Sequence, residues 1–157
     1  MNVWKMIAHH ADRDSATAWT RQNERIAIGW GSIGDLLQYR SVAEISAAIR
    51  ENYPIPPYKR NAHLGAPSLW DFCHTVQKDD LVILKGGKTG SVVVKIVGKY
   101  EYAAGQSPLE GDYQNQRMVQ TTAFDPEKLW RAAGEAPGTN VYQTLRKCAH
   151  PVNPNEL

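Results

Sequence analysis

The run Arg25-Ile26-Ala27-Ile28-Gly29-Trp30-Gly31-Ser32-Ile33-Gly34-Asp35 decides how the chain is read, because it carries an apolar strand directly into a glycine-flanked tryptophan. Side chains alternate along a strand, so Ile26, Ile28 and Trp30 share one face while Ala27 and Gly29 leave the other nearly bare. Gly31 and Gly34 then permit backbone angles and close approaches that a Cβ resists. An indole placed at a strand end beside such a loop forms either the wall of a pocket or a large piece of core, and the residue type alone serves both roles.

Working outward, Val3–Ala8 reads as a strand and His9–Asn23 as a polar connection in which Ser15–Trp19 makes a helical turn. Ser41 with Glu44 is a capping box, and Val42, Ile45 and Ile49 at i, i+3 and i+7 predict an amphipathic helix ending before Pro54. Tyr53-Pro54-Ile55-Pro56-Pro57-Tyr58-Lys59-Arg60 is a proline-stiffened loop, and Pro67 suits the first turn of a second helix. Leu69, Phe72, Cys73 and Val76 would form its buried stripe, with Trp70 and His74 neighbours on another flank. Leu81–Leu84 and Ser91–Val97, joined by Lys85-Gly86-Gly87-Lys88-Thr89-Gly90, predict a β-hairpin whose second strand extends toward Tyr102. A loop with Gly105, Pro108 and Gly111 leads to a strand over Gln116–Phe124 and a helix over Pro126–Ala132. Thr139 would cap a last helix with Val141, Leu145 and Cys148 inward. No repeat or long linker divides the chain, so the expectation is one domain over residues 1–149 and a loose tail over 150–157.

A chain of 157 residues buries roughly 70% of its unfolded surface on folding, enough for a core without staples. The net charge of +2 neither announces nor excludes a nucleic-acid partner. Cys73 and Cys148 form no CxxC pair and no secretory leader begins at Met1, so a reduced, cytoplasmic setting is expected. No apolar run approaches the roughly 20 residues that span a bilayer, so no membrane association is expected.

Most catalytic signatures are absent. Gly87-Lys88-Thr89 lacks the glycine a phosphate-binding loop needs where Val82 stands, and a strand follows it in place of a helix. His9 and His10, with Asp12 and Asp14 behind them, are adjacent residues that diverge on a strand, and no HxH or HExxH spacing accompanies them, so they read as a surface or pocket-edge pair rather than metal ligands. Cys73 and His74 diverge by about 100° on a helix and make no nucleophile–base pair. Neither a GxSxG elbow nor nuclease-like carboxylate spacing occurs, and neither cofactor nor metal is expected. What remains is a set of aromatics, Trp4, Trp19, Trp30, Trp70, Tyr100 and Tyr102, threaded among Lys5, Arg13, Arg21, Arg25, Lys85, Lys88, Lys99 and Arg117. Rings stack on a flipped base while cations hold phosphates. Trp4 and Trp130 are read as structural.

These landmarks also occur in a telling order: Val3-Trp4-Lys5-Met6-Ile7-Ala8, then Trp19, then Ile28-Gly29-Trp30, then Ser68-Leu69-Trp70-Asp71-Phe72-Cys73-His74-Thr75-Val76, then Asp80–Leu84, and finally the arginine-bearing Gln116-Arg117-Met118-Val119-Gln120-Thr121-Thr122. Over most of residues 3–148 the chain resembles the EVE and YTH-like domains of the PUA superfamily, particularly those of McrB-type and Mrr-type modification-dependent restriction proteins. The resemblance implies an α+β fold, a strongly bent, mostly antiparallel β-barrel flanked by helices. It implies a module that flips a modified base out of DNA, less readily RNA, alongside a nuclease carried on a separate subunit. Trp30, Gly31 and Ser32 would form the base pocket, and Arg25, Lys88 and Arg117 would neutralise phosphates. The sequence departs from the YTH-like pattern near Thr121, where a second cage tryptophan is expected, and Trp70 and Tyr102 are the candidate replacements. Two alternatives stay open. Related ASCH domains include hydrolases and nucleases, for which Lys5, Asp80 and Tyr102 would be the reactive residues, and a degenerate pocket would serve as a protein-interaction surface.

Overall fold

Val3–Met6 and Leu81–Leu84 are buried at every position, the mark of strands covered on both faces. In the computed structural model, which describes residues 1–53, 62–105, 109, 111–138 and 143–157, these two runs lie side by side and parallel at the centre of a single sheet. Its strands are β1 (Val3–Met6), β2 (Arg25–Ile28), β3 (Leu81–Leu84), β4 (Val92–Tyr102), β5 (Asn115–Thr121) and β6 (Leu145–Lys147), in the order β2-β5-β4-β3-β1-β6. All pairings but β1 with β3 are antiparallel. The architecture is α+β, as expected, but the barrel is not closed. Closure requires the outermost strands to pair, whereas β2 and β6 stand at opposite edges of a six-stranded mixed sheet. A register shift between Ile96 and Tyr100 interrupts the ladder of β4 with β5, which locally increases twist.

The pleat sends alternate side chains into two layers. Trp4, Met6, Val82, Leu84, Val94 and Ile96 pack with Ile45 and Ile49 of α2 (Val42–Asn52) and with Ala62, Ala66 and Leu69 of α3 (Ala62–Trp70). Val3, Leu81, Ile83 and Val93 face the other way, onto Leu129, Trp130 and Ala133 in and just beyond α4 (Pro126–Ala132). The helix α1 (Arg13–Asn23) precedes β2. Among the described residues no helix is long and apolar enough to cross a membrane.

Local signals hold where they are strongest. Ser41 Oγ accepts from Glu44 N at 3.1 Å and Glu44 Oε2 accepts from Arg40 N at 2.6 Å, so one orphan donor of α2 is satisfied and the residue before its cap is tied back to the first turn. The hairpin of β3 with β4 forms, β4 continues to Tyr102, and α4 has the expected bounds.

Four expectations are corrected. Pro67 lies inside α3 rather than in its first turn. Lacking an N–H, it cannot satisfy the carbonyl four residues back, and beyond Trp70 the chain widens into a π-helical turn over Asp71–Thr75, closed by Val76 N donating to Asp71 O at 2.9 Å. Leu145 and Cys148 do not belong to a terminal helix. Leu145–Lys147 is β6, drawn onto the free edge of β1, because an exposed row of backbone donors and acceptors outcompetes a weak helical pattern. Thr139 and Val141 lie outside the described residues, as do Pro54–Arg60. Finally, the segment from His150 is tied down, with His150 N donating to Ala133 O at 2.9 Å, Val152 N to Met1 O at 2.9 Å, and Val152 buried. The strand β5 also stops at Thr121, short of Phe124.

The hairpin turn that mimics a phosphate loop does bind an anion, the chain's own. Asp14 Oδ1 accepts from Gly87 N at 2.9 Å, Thr89 N at 3.1 Å and Thr89 Oγ1 at 2.7 Å, and Oδ2 accepts from Lys88 N at 3.0 Å. Successive backbone N–H groups form such a nest for a negative charge. The Thr89 hydroxyl and these N–H groups hold the Asp14 carboxyl down to about 2. The folded value is depressed, so the clamp contributes fully above the ordinary aspartate value of 3.8 and is lost as pH falls toward about 2. Asp14→Ala should therefore raise amide exchange at Gly87, Lys88 and Thr89 at neutral pH, read by hydrogen–deuterium exchange, and wild type at pH 2 should approach the variant.

Candidate functional site: an aromatic cavity at the end of β2

Beyond β2 the chain turns sharply at Trp30, whose φ of 58° places it in the left-handed region. That conformation is uncommon for a bulky residue and persists only where the surroundings impose it. Here they do. Ile33 N donates to Trp30 O at 3.2 Å and Gly34 N to Gly31 O at 2.9 Å, closing a single 3₁₀ turn over Gly31–Ile33. Gly31 N donates to Asp112 O at 3.0 Å, and a Cβ on Gly31 would stand 1.9 Å from Gln114 Oε1. The loop is thus locked against residues 112–114. On its other side the indole lies against α3, where a Cβ on Gly65 would come within 2.8 Å of Trp30 Cζ2.

Half-buried in this way, Trp30 forms one wall of a cavity of about 840 Å³, within the range of small-molecule sites. His9, His10, Tyr53, Asp112 and Tyr113 line the remainder, with Ala8, Gly29, Gly65 and Gly111 leaving room between them. His9 stacks on Tyr113 with ring centroids 5.2 Å apart and planes 17° from parallel. Asp112 Oδ2 accepts from Ser32 Oγ at 2.5 Å and Tyr53 Oη at 2.9 Å, while Tyr53 Oη accepts from Ser32 N at 3.1 Å. Burial, aided by the Asp112 charge, pushes the Tyr53 phenol up, so it stays a donor to that carboxylate at neutral pH. Behind the loop, Tyr100 Oη meets Asn115 Oδ1 at 2.5 Å and accepts from Leu36 N at 2.8 Å, fixing the segment that follows Trp30. At the opposite rim His10 Nε2 lies 3.0 Å from Thr144 Oγ1, and burial, then the charges of Lys5, Arg13 and His9, lower its pKa.

Of the residues expected at the pocket, Trp30 lines it and Ser32 braces its rim through Asp112. Gly31 is buried with its N–H engaged, so it shapes the loop and offers no donor to a ligand. Trp70 and Tyr102 do not line the cavity. Trp70 lies over His74, centroids 4.2 Å apart, and Tyr102 is exposed at the end of β4. Thr121 is exposed at the end of β5, and the rings facing the space with Trp30 are those of Tyr113, Tyr53 and His9.

The expected phosphate ligands are dispersed. Arg25 pairs with Glu101 at 2.7 Å. Lys88 sits on the exposed hairpin turn with its N–H on Asp14. Arg117 is 4% exposed, its Nη1 donating to Phe72 O at 3.1 Å and Val76 O at 2.6 Å, and its Nε and Nη2 to Gly98 O at 3.2 and 3.0 Å. Its fork satisfies carbonyls around the π turn and the β4 irregularity, so it is a structural arginine and not a phosphate ligand. Asp112 and Tyr113 escaped sequence reasoning because they lie between a glycine turn and a strand with no periodic signal. In the sequence Tyr53 marks only the start of the proline-stiffened loop.

Over residues 4–129 the chain matches the family model described as Domain of unknown function (DUF8426), and it belongs to that family. No curated protein and no solved structure matches it.

Because Gly65 supports the indole, Gly65→Ala should displace Trp30 and destabilise the fold by about 1–3 kcal/mol through overpacking. In a ¹⁵N correlation spectrum the Trp30 indole N–H should move while those of Trp4 and Trp130 stay in place.

Proposed function

We propose that this protein is a binding module of the EVE and YTH-like type within the PUA superfamily, which takes a modified base, flipped out of DNA in preference to RNA, into the cavity beside Trp30. The observation that carries this reading is the pairing of Trp30 with Tyr113, His9 and Tyr53 around one space, since every base has a face on which such rings stack. Asp112 supplies the polar complement. One of its oxygens is held by Ser32 and Tyr53, and Oδ1 has no hydrogen-bond partner among the described residues, leaving an acceptor for an N–H on the base edge. In the cytoplasm such a module would act as a sensor for a nuclease on another chain.

A hydrolytic role for Lys5, Asp80 and Tyr102 has less support, because nothing gathers the three. Asp80 accepts from Trp4 Nε1 at 2.9 Å, Gln77 N at 3.0 Å and Asn2 N at 3.3 Å, on the face of β1 opposite to Lys5, and Tyr102 lies out on β4. A cavity retained only as a protein-docking surface would bind no oligonucleotide.

Trp30→Ala tests the reading when affinity and stability are measured together on duplexes and single strands carrying 5-methylcytosine, 5-hydroxymethylcytosine, 6-methyladenine or no modification. A stacking wall loses about 1–3 kcal/mol of binding with most of the fold intact, whereas a core indole loses about 3–5 kcal/mol of stability. Wild-type protein that binds none of these strands would sink the proposal.

A further inference from the structure

On the face of β1 away from the cavity's aromatic wall, Lys5 is 1% exposed, and its ammonium donates to Gln143 O. Among the described residues no carboxylate pairs with it. An ammonium removed from water with one carbonyl for company is unfavourable by several kcal/mol, and here its neighbours add to the charge. Arg146 on β6, Arg13 at the start of α1 and Lys85 just after β3 all lie close enough to act on it electrostatically. Lys85 Nζ and Arg146 Cζ stand 5.2 and 5.9 Å from the Trp130 ring centre, so the indole anchors both cations. Arg146 Nη2 pairs with Glu135 at 2.9 Å. Arg146 Nε is buried with no partner among the described residues, an orphan donor of the kind that native proteins leave open only for a reason.

We propose that Lys5, Arg13, Lys85 and Arg146 form a binding site for a phosphoryl group. Four cations, of which one pairs with a carboxylate among the described residues, one is a buried ammonium and one carries an unpaired guanidinium donor, are what a compact, multiply charged oxyanion would complete. The site borders the cavity. Lys5 holds the carbonyl next to Thr144, a cavity residue, and His10, also in the wall, feels the charges of Lys5 and Arg13. The site goes beyond the base-reading proposal and stands whether or not a base enters the cavity.

Burial first, then Arg146, Arg13 and Lys85, holds Lys5 down to about 7, with Cys148 opposing weakly. Sulfate, whose charge does not change between pH 6.5 and 9, therefore separates the lysine's protonation from the ligand's. Across that window the two guanidiniums keep their charge, the Cys148 thiol, pushed up to about 11 by burial, stays neutral, and burial moves His10 down from its ordinary 6.5, away from the window. Titrations at constant ionic strength, followed by NMR, should show saturable sulfate binding at pH 6.5 that weakens at least about tenfold at pH 9 or in Lys5→Met, as expected for loss of one charged hydrogen bond. Lys85→Ala, which leaves the buried position intact, should weaken it as well, and Trp30→Ala should not. Methyl phosphate and dimethyl phosphate then distinguish a free phosphate monoester from a nucleic-acid backbone, and binding of either supports the site. Absence of saturable binding at both pH values, or affinity unchanged in folded Lys5→Met and Lys85→Ala, would overturn it.

Discussion

A strand paired on both edges and covered on both faces must find every polar partner inside the protein, and β1 is in that position. It is parallel to β3 on one side and antiparallel to β6 on the other. Trp4 meets the requirement by donating to Asp80, which in turn caps the turn before β3. Lys5 meets it through the carbonyl of Gln143. From this fixed strand the chain runs directly into Ala8, His9 and His10, so the cavity wall inherits its position from the centre of the sheet. The same strand carries the buried lysine toward the opposite layer, and two chemically different surfaces are thereby held in a constant relation.

What was legible in the sequence is what depends on near neighbours. Ser41 and Glu44 are three residues apart, Asp125 caps α4 three residues ahead of its first satisfied donor, and β3 and β4 are joined by a short turn. What was not legible depends on partners far along the chain. Leu145–Lys147 has the composition of a short helix and becomes a strand because β1, about 140 residues earlier, has an open edge. The closed barrel was expected from resemblance, and the pairing that would close it is not made. At the site, the glycines around Trp30 disclosed an unusual backbone, and the cavity is there. The partners of Trp30 were missed because Tyr113 and Asp112 reach it through tertiary contacts alone.

Charge proved to be a poor guide to location. Arg117 was expected on the surface and instead stitches Phe72, Val76 and Gly98 together from within, and Lys5 is among the most buried side chains of the chain. Conversely, Gly87-Lys88-Thr89 lacks the pattern of a phosphate loop and still presents converging donors, already satisfied by Asp14. A net charge of +2 thus conceals an uneven distribution, with cations gathered around Lys5.

The left-handed Trp30 has a consequence for how this family can change over time. Its backbone angle, the missing Cβ of Gly31 and the missing Cβ of Gly65 are one fitted unit, because a methyl added at Gly31 collides with Gln114 and Asp112 and one added at Gly65 collides with the ring itself. A lineage that keeps the indole is bound to keep both glycines, and one that loses the indole is released from them. These three positions are therefore expected to change together, and divergence among relatives should be correlated there and free around the rim.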